Sequence, residues 1–404
     1  MSLKVVLLVL DALGIGEMPD VAQDRPQDAG THTLASVLKE VGHLDVPTLA
    51  KLGLGHVAPL RGLDLRASEP LASYGRCRLA HRGADSYLGH QEIMGAIPKP
   101  PVPTLMAQAA GLLEEQLAAR GHAVRRPLVG KSLLLVDEAL VIGDNLEADP
   151  GLNINLTVAT DRMDFDQAVS IGKIVRELVS VSRVIVFGGP DITTGDILNH
   201  VEQRENGQLG VNSPSLGVYN QNLRVQHLGY GVDPDRQAAS ILCRAGIPVT
   251  LLGKMADLIV CPCARRDSLV PTPQLMRRLR DAYRNARDGL IAATVQETDL
   301  AAHEGDCARF ARVLEEVDSG LQALLPDIAE GDGLIVCADH GTDPQKNIGL
   351  HTREETPLLI YQKGRPAKSL GVRSTLADIG ATVTHWFNTP PTQDGVTIMD
   401  WRDA

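Results

Sequence analysis

Hydrophobic residues in this chain fall into short unbroken runs separated by longer amphipathic stretches. Residues 4–10 (KVVLLVL), 248–252, 290–295, 334–338 and 357–361 are apolar runs of strand length. Runs of this kind predict strands buried on both faces of a parallel sheet. Between them the period changes. In 307–325, Phe310, Leu314, Val317, Leu321 and Leu324 recur at three- and four-residue steps, the pattern of a helix with one apolar face. The alternation predicts an α/β fold with a mostly parallel sheet and helices on both faces. Residues 165–181 read as a further helix and 183–187 as a further strand. They lie between two stretches that suit hinges: 97–104 (IPKPPVPT), stiffened by prolines, and 210–217 (GVNSPSLG). The segment 98–217 is therefore expected to be an inserted smaller domain. Residues 1–97 and 218–404 would then form one discontinuous core.

Length and composition narrow the class. The chain has 404 residues, enough for two or three domains, with 44% hydrophobic, 3% aromatic and 22% charged residues. A formal net charge of −11 argues against a nucleic-acid partner, which needs a basic surface. No run reaches the length of a membrane span. Residues 1–10 run straight into Asp11 and read as a first strand, not a signal peptide. The six cysteines form no regular framework; reduced thiols in a cytoplasmic protein are expected, without a cysteine zinc site.

Candidate chemistry gathers where the apolar runs end. Residues 336–344 (VCADHGTDP) place Asp339 and His340 at the edge of a strand, where ligand sites of open α/β sheets lie. Asp11 follows the first strand; it could cap the next helix or hold a metal. Asp299 and His303 share a helix face if ETDLAAH is helical, which suits a surface ion pair as well as a ligand pair. His351 precedes another strand. Ser86 stands in GADSYLGHQEIMG without the surroundings of a nucleophile elbow, so a metal is the remaining means of activating its hydroxyl.

With these segments in view, the chain resembles the phosphopentomutases and, more distantly, the cofactor-independent phosphoglycerate mutases of the alkaline phosphatase superfamily. The resemblance runs through VLDALGIG, GADSYLGHQEIMG, HLGYGVD, LLGKMADL, ETDLAAH, ADHGTDP and HTREETPLLIY. It implies that Asp11, Asp339 and His340 bind one divalent metal, and Asp299, His303 and His351 a second. Ser86 takes the place of the phosphorylated residue between them. Lys254 matches a lysine near the substrate phosphate, Arg183 an arginine of the inserted cap, and Asp161 a cap residue that meets the sugar. Mixed carboxylate and imidazole ligation suits Mn²⁺, or Zn²⁺, better than Mg²⁺. Around the nucleophile, Ala84 and Gln91 stand where the phosphopentomutases carry lysine and tryptophan. The implied activity is a mutase that moves a phosphoryl group between positions of a small phosphosugar, such as ribose or deoxyribose 1- and 5-phosphates, through a phosphoserine. The alternatives are a metal-dependent phosphatase on the same fold and a non-catalytic metabolite binder.

Overall fold

The computed structural model describes residues 3–58, 60, 69–148, 150–189, 192–217, 224–346 and 349–398. The chain forms two compact units, Met1–Ile97 with Asp233–Ala404, and Pro98–Val232. Strands β1 (Lys4–Leu10) and β2 (Ser73–Cys77) belong to the first unit. The second holds β3 (Val124–Arg125), β4 (Leu134–Val136), β5 (Leu140–Asp144), β6 (Asn153–Ala159), β7 (Arg183–Gly189), β8 (Val201–Gln203), β9 (Leu209–Val211) and β10 (Arg224–Gly229). The chain then returns to the first unit with β11 (Val249–Gly253), β12 (Arg265–Asp267), β13 (Gly289–Val295), β14 (Gly333–Cys337), β15 (Thr356–Gln362) and β16 (Ser369–Arg373).

The first unit is built on an eight-stranded sheet in the order β12-β11-β13-β1-β14-β15-β2-β16. Every neighbouring pair is parallel except the two that β15 makes, so β15 alone runs against the rest. The central strand β1 shows why the apolar runs are unbroken. Val6, Leu8 and Leu10 enter one hydrophobic cluster, and Val5, Leu7 and Val9 enter another on the opposite face. The helix Cys307–Leu324 buries Phe310, Leu314, Val317, Leu321 and Leu324 against the first of these. The parallel sheet with helices on both faces is thus the architecture that the pattern predicts.

The second unit has a six-stranded sheet, β10-β7-β6-β5-β4-β3. The helices Met106–Ala119 and Phe165–Leu178 contribute to the cluster on one face. Its extent differs from the expected 98–217. The stretch 210–217 is no interdomain hinge: it ends β9 and forms the helical turn Ser213–Leu216. The chain then adds β10, which pairs antiparallel with β7 from Arg224 opposite Gly188 to Gly229 opposite Arg183. The unit therefore runs on to Val232, and residue 218, the expected boundary, lies outside the described residues.

The expectation of reduced thiols throughout also needs correction. Cys243, on the helix Ala238–Arg244, and Cys263 are joined as a disulfide with Cα atoms 6.4 Å apart. Cys77, Cys261, Cys307 and Cys337 are free. No helix among the described residues is long and apolar enough to cross a membrane.

Candidate metal centre

Strand direction brings the candidate residues to one edge of the sheet. The neighbouring parallel strands β11, β13, β1 and β14 are followed by Lys254, by the helix Glu297–His303 carrying Asp299 and His303, by Asp11, and by Asp339 and His340. Strand β15 begins at this edge because it runs antiparallel, so His351 arrives from the preceding loop. Ser86 opens the helix Ser86–Ile93 that follows β2, and Asp85 caps it by accepting from the Leu88 N–H at 3.0 Å. Ala12, directly after Asp11, holds φ = 66°. This left-handed conformation is costly for a residue with a Cβ. It turns the Ala12 N–H toward Asp339 Oδ1 at 3.2 Å.

The geometry centres on Ser86. Its Oγ donates to Asp339 Oδ2 at 2.7 Å and lies 3.4 Å from Asp11 Oδ1. His340 Nε2 is 3.3 Å from Asp339 Oδ2 and 3.5 Å from Asp11 Oδ1. Nearby, Asp299 Oδ1 has His303 Nε2 at 3.3 Å and His351 Nε2 at 3.5 Å, and those two nitrogens are 3.0 Å apart. The rings of His340 and His351 stack at 4.0 Å, joining the two groups. Asp11, Asp339 and His340 can converge on one cation; so can Asp299, His340 and His351.

The other ring nitrogen of each imidazole fixes its tautomer. Nδ1 of His340 lies 2.9 Å from the Gly341 carbonyl, that of His303 3.0 Å from the Gly349 carbonyl, and that of His351 2.8 Å from the Ala84 carbonyl. A carbonyl only accepts, so each Nδ1 carries the hydrogen. In their neutral forms His340 and His351 then aim the Nε2 lone pair at the carboxylates, whereas His303, raised above its ordinary pKa by its hydrogen bond to Asp299, carries a hydrogen on Nε2 as well and donates it to Asp299 Oδ1. Such backbone contacts also orient metal-ligating histidines. His340 Nε2 is buried and has no hydrogen-bond partner among the described residues. A lone pair buried against carboxylate oxygens is a repulsive arrangement that a cation reverses. The donor set fits divalent metals.

Protonation behaviour agrees with this geometry. Burial, followed by the charge of Asp339, pushes the Asp11 carboxyl up to about 7. Burial opposes ionisation of Asp299 as well, but the His303 hydrogen bond and the charge of Lys254 hold it well below the usual carboxylate range. Burial lowers His351 to about 3, so that ring is neutral. Lys254 Nζ bridges Asp11 Oδ2 at 2.7 Å and Asp299 Oδ2 at 3.3 Å. Burial disfavours its charge, but Asp11 and Asp299 outweigh that and raise its pKa.

The remaining two expected site residues are not brought together. Asn153 of β6 pairs with Arg183 of β7, and Ala159 with Gly189. Arg183 therefore starts its strand, whereas Asp161 follows the far end of the neighbouring one. That separates their backbones by about 20 Å at strand rise. One small substrate cannot touch both.

Several residues that support the site stand out only in three dimensions. His90 is one turn from Ser86 on the same helix. Its Nδ1 lies 2.8 Å from the Ser86 carbonyl and 3.1 Å from Asp339 Oδ2, and its Nε2 lies 2.8 Å from Thr294 Oγ1. The i,i+4 spacing of Ser86 and His90 was the available signal. Glu92 is fully buried and accepts from the Ala80, His81 and Leu376 N–H groups and from the Thr375 hydroxyl. Glu354 accepts from Gly16 N–H, Thr33 N–H and the hydroxyls of Thr33 and Thr352, tying together the loops beneath the ligands. An open groove of about 530 Å³ is lined by Pro248 and Leu290, at the start of their strands, and so belongs to the opposite edge of the sheet.

Comparison with known proteins supplies an independent line. A family model described as "Metalloenzyme superfamily" matches residues 3–391. A phosphopentomutase of Desulfitobacterium hafniense (strain DSM 10664 / DCB-2) is 28% identical over 411 residues, covering 98% of each chain. One of Symbiobacterium thermophilum is 27% identical over 427 residues, again covering 98% of each. Among solved structures, a Leishmania mexicana phosphoglycerate mutase aligns over 98% of both chains with a TM-score of 0.49 and 12% identity.

Proposed function

The chain belongs to the metalloenzyme superfamily, and from that premise we propose that it is a metal-dependent mutase that moves a phosphoryl group between two positions of a pentose phosphate. Full-length similarity to proteins named phosphopentomutase supports the choice of a mutase over a phosphatase. One observation carries the chemistry: a buried serine hydroxyl bonds Asp339 beside Asp11 and His340, and the stacked rings of His340 and His351 join that group to Asp299, His303 and His351.

Asp11, Asp339 and His340 would hold one cation, and Asp299, His303 and His351 the other. Mn²⁺ is preferred and Zn²⁺ is the alternative, on the softness of a mixed nitrogen and oxygen set. When bound, the two ions supply charge neutralisation for the transferring phosphoryl oxygens and favour the alkoxide of Ser86. Ser86 is the phosphoryl carrier. In the first transfer, phosphorylated Ser86 gives its group to the free hydroxyl of the sugar phosphate: the P–O bond to Oγ breaks as the P–O bond to the sugar forms. In the second, the group originally on the sugar moves to Oγ, and the proton released by the first hydroxyl ends on the vacated sugar oxygen. His90 and Gly89 hold the helix bearing Ser86 against Asp339. Lys254 would meet a substrate phosphate once it no longer has to neutralise Asp11 and Asp299 alone.

The test is to incubate Mn²⁺-loaded protein with ribose 1-phosphate and a trace of the bisphosphate, following both ribose 5-phosphate and free phosphate. Ribose 5-phosphate formed without matching free phosphate is expected, and Ser86→Ala should abolish it. Stoichiometric free phosphate would make the enzyme a phosphatase.

A further inference from the structure

Away from this centre, three cysteine sulfurs meet on the first unit. Cys243 comes from the helix Ala238–Arg244, and Cys261 and Cys263 from the turn after the helix Lys254–Leu258. Their Sγ atoms all lie within 4.8 Å of one another, with Cys261 and Cys263 at 3.9 Å. The Cys243–Cys263 disulfide accounts for two of them. It leaves unexplained why a third sulfur converges on the pair. Cys261 is fully buried. In the turn Cys261-Pro262-Cys263-Ala264, the Ala264 N–H donates to the Cys261 carbonyl at 3.1 Å. The Cys261 thiol itself donates to the Ala239 carbonyl at 3.6 Å, and the Ser240 hydroxyl donates to the Val260 carbonyl at 3.2 Å.

A compensating positive charge is in place as well. The Arg266 guanidinium donates to the Ile259 carbonyl at 2.7 Å and the Cys261 carbonyl at 3.3 Å, and also to the Ala256 carbonyl. It closes the end of the helix Lys254–Leu258 and fixes the turn. Three thiolates around a divalent cation leave one net negative charge, which Arg266 offsets. Burial raises the Cys261 thiol overall, with Arg266 acting against it, so a cation has to displace the protons.

We propose that, once the Cys243–Cys263 disulfide is reduced, Cys243, Cys261 and Cys263 form a three-thiolate site for a thiophilic divalent cation of the Zn²⁺ class, separate from the carboxylate–imidazole centre. Soft thiolate donors select such ions. Reduction takes two electrons and two protons from a thiol or phosphine reductant and yields two thiols. Ion binding then releases thiol protons to solvent. The disulfide and the metal-bound form exclude each other, because both use Cys243 and Cys263.

The probe is Cd²⁺, whose thiolate complexes absorb in the ultraviolet by charge transfer from sulfur, whereas carboxylate and imidazole ligands give no such band. Full-length protein reduced with a phosphine is titrated with Cd²⁺ in parallel with Cys261→Ser, Cys263→Ser and Cys307→Ser, each checked for native circular dichroism. The band should saturate at one equivalent in the wild type, be lost in the first two variants and persist in Cys307→Ser. The unreduced protein should show no band, and adding Zn²⁺ first should suppress it. No band in reduced wild type, or an undiminished band in Cys261→Ser and Cys263→Ser, would overturn the proposal. Because Cys263 is exposed, its replacement remains decisive should Cys261→Ser fail to fold.

Discussion

Gly89→Ala separates helix propensity from site geometry, because the two predict opposite signs. In a helix interior, alanine is favoured over glycine by roughly 0.5–1 kcal/mol. At Gly89, however, a Cβ would stand 2.7 Å from the Asp339 carbonyl oxygen and 2.9 Å from Asp339 Cβ. Carbon atoms in contact sit at about 3.5–4.0 Å, so the helix must retreat by at least about 0.6 Å. Overpacking of this kind costs about 1–3 kcal/mol, enough to cancel or exceed the propensity gain. The greater effect should be on function. Ser86 rides on the same helix, and its Oγ is 2.7 Å from Asp339 Oδ2. A displacement approaching 1 Å costs roughly a hundredfold in rate. We expect kcat of the Mn²⁺-loaded variant to fall by about that factor, with KM changed far less and urea unfolding at or below wild-type stability. Gly111→Ala is the control: it lies in the helix Met106–Ala119 with nothing within 4 Å of the added carbon. It should gain up to about 1 kcal/mol. A Gly89→Ala enzyme with wild-type kcat and increased stability would refute the reasoning.

Three further outcomes follow from the buried charges. Burial opposes the Glu92 carboxylate, but hydrogen bonds from His81, Thr375 and Ala80 hold its pKa below the ordinary value of 4.5. Its stabilisation is therefore complete above that value and lost as pH falls from it toward the folded pKa; Glu92→Gln should cost about 1–3 kcal/mol at pH 7 and flatten the acid limb of a stability–pH curve, so an unchanged limb would argue against this role. Asp11, raised to about 7 without ions, has to lose its proton to bind one; Mn²⁺ affinity should rise as pH passes upward through that value, and calorimetry in buffers of different ionisation enthalpy should register proton release, whereas buffer-independent heats would contradict it. Lys254→Met removes the cation shared by Asp11 and Asp299; metal-free protein should lose thermal stability and saturating Mn²⁺ should restore most of it, while equal losses with and without Mn²⁺ would point to packing alone.

Much of this was legible in the chain because parallel sheets write themselves as unbroken apolar runs and place ligands just past them. Asp11, Asp299, Asp339 and His340 follow such runs, and the fold gathers them at one edge of the sheet. What escaped depends on contacts that no local pattern encodes. Strand β10 joins the second unit by pairing with β7 and packing Leu228 on its core, so composition around 210–217 suggested a hinge where there is none. No local pattern marks Glu92 and Glu354 as buried acceptors, because the loops that donate to them meet them only in the fold. Arg183 and Asp161 are close in sequence, yet parallel pairing of β6 and β7 puts them at opposite strand ends. The Cys243–Cys263 pair spans 20 residues of unremarkable spacing and forms where one helix meets the following turn.

The central claim is that two cations lie among these six side chains, with the Ser86 hydroxyl at their side. Crystals grown with Mn²⁺ and measured on both sides of the manganese absorption edge test it directly. The account predicts two anomalous peaks, one at Asp11, Asp339 and His340 and one at Asp299, His303 and His351, both adjacent to Ser86 Oγ. Absence of manganese from these six ligands, or ions bound remote from Ser86, would contradict it.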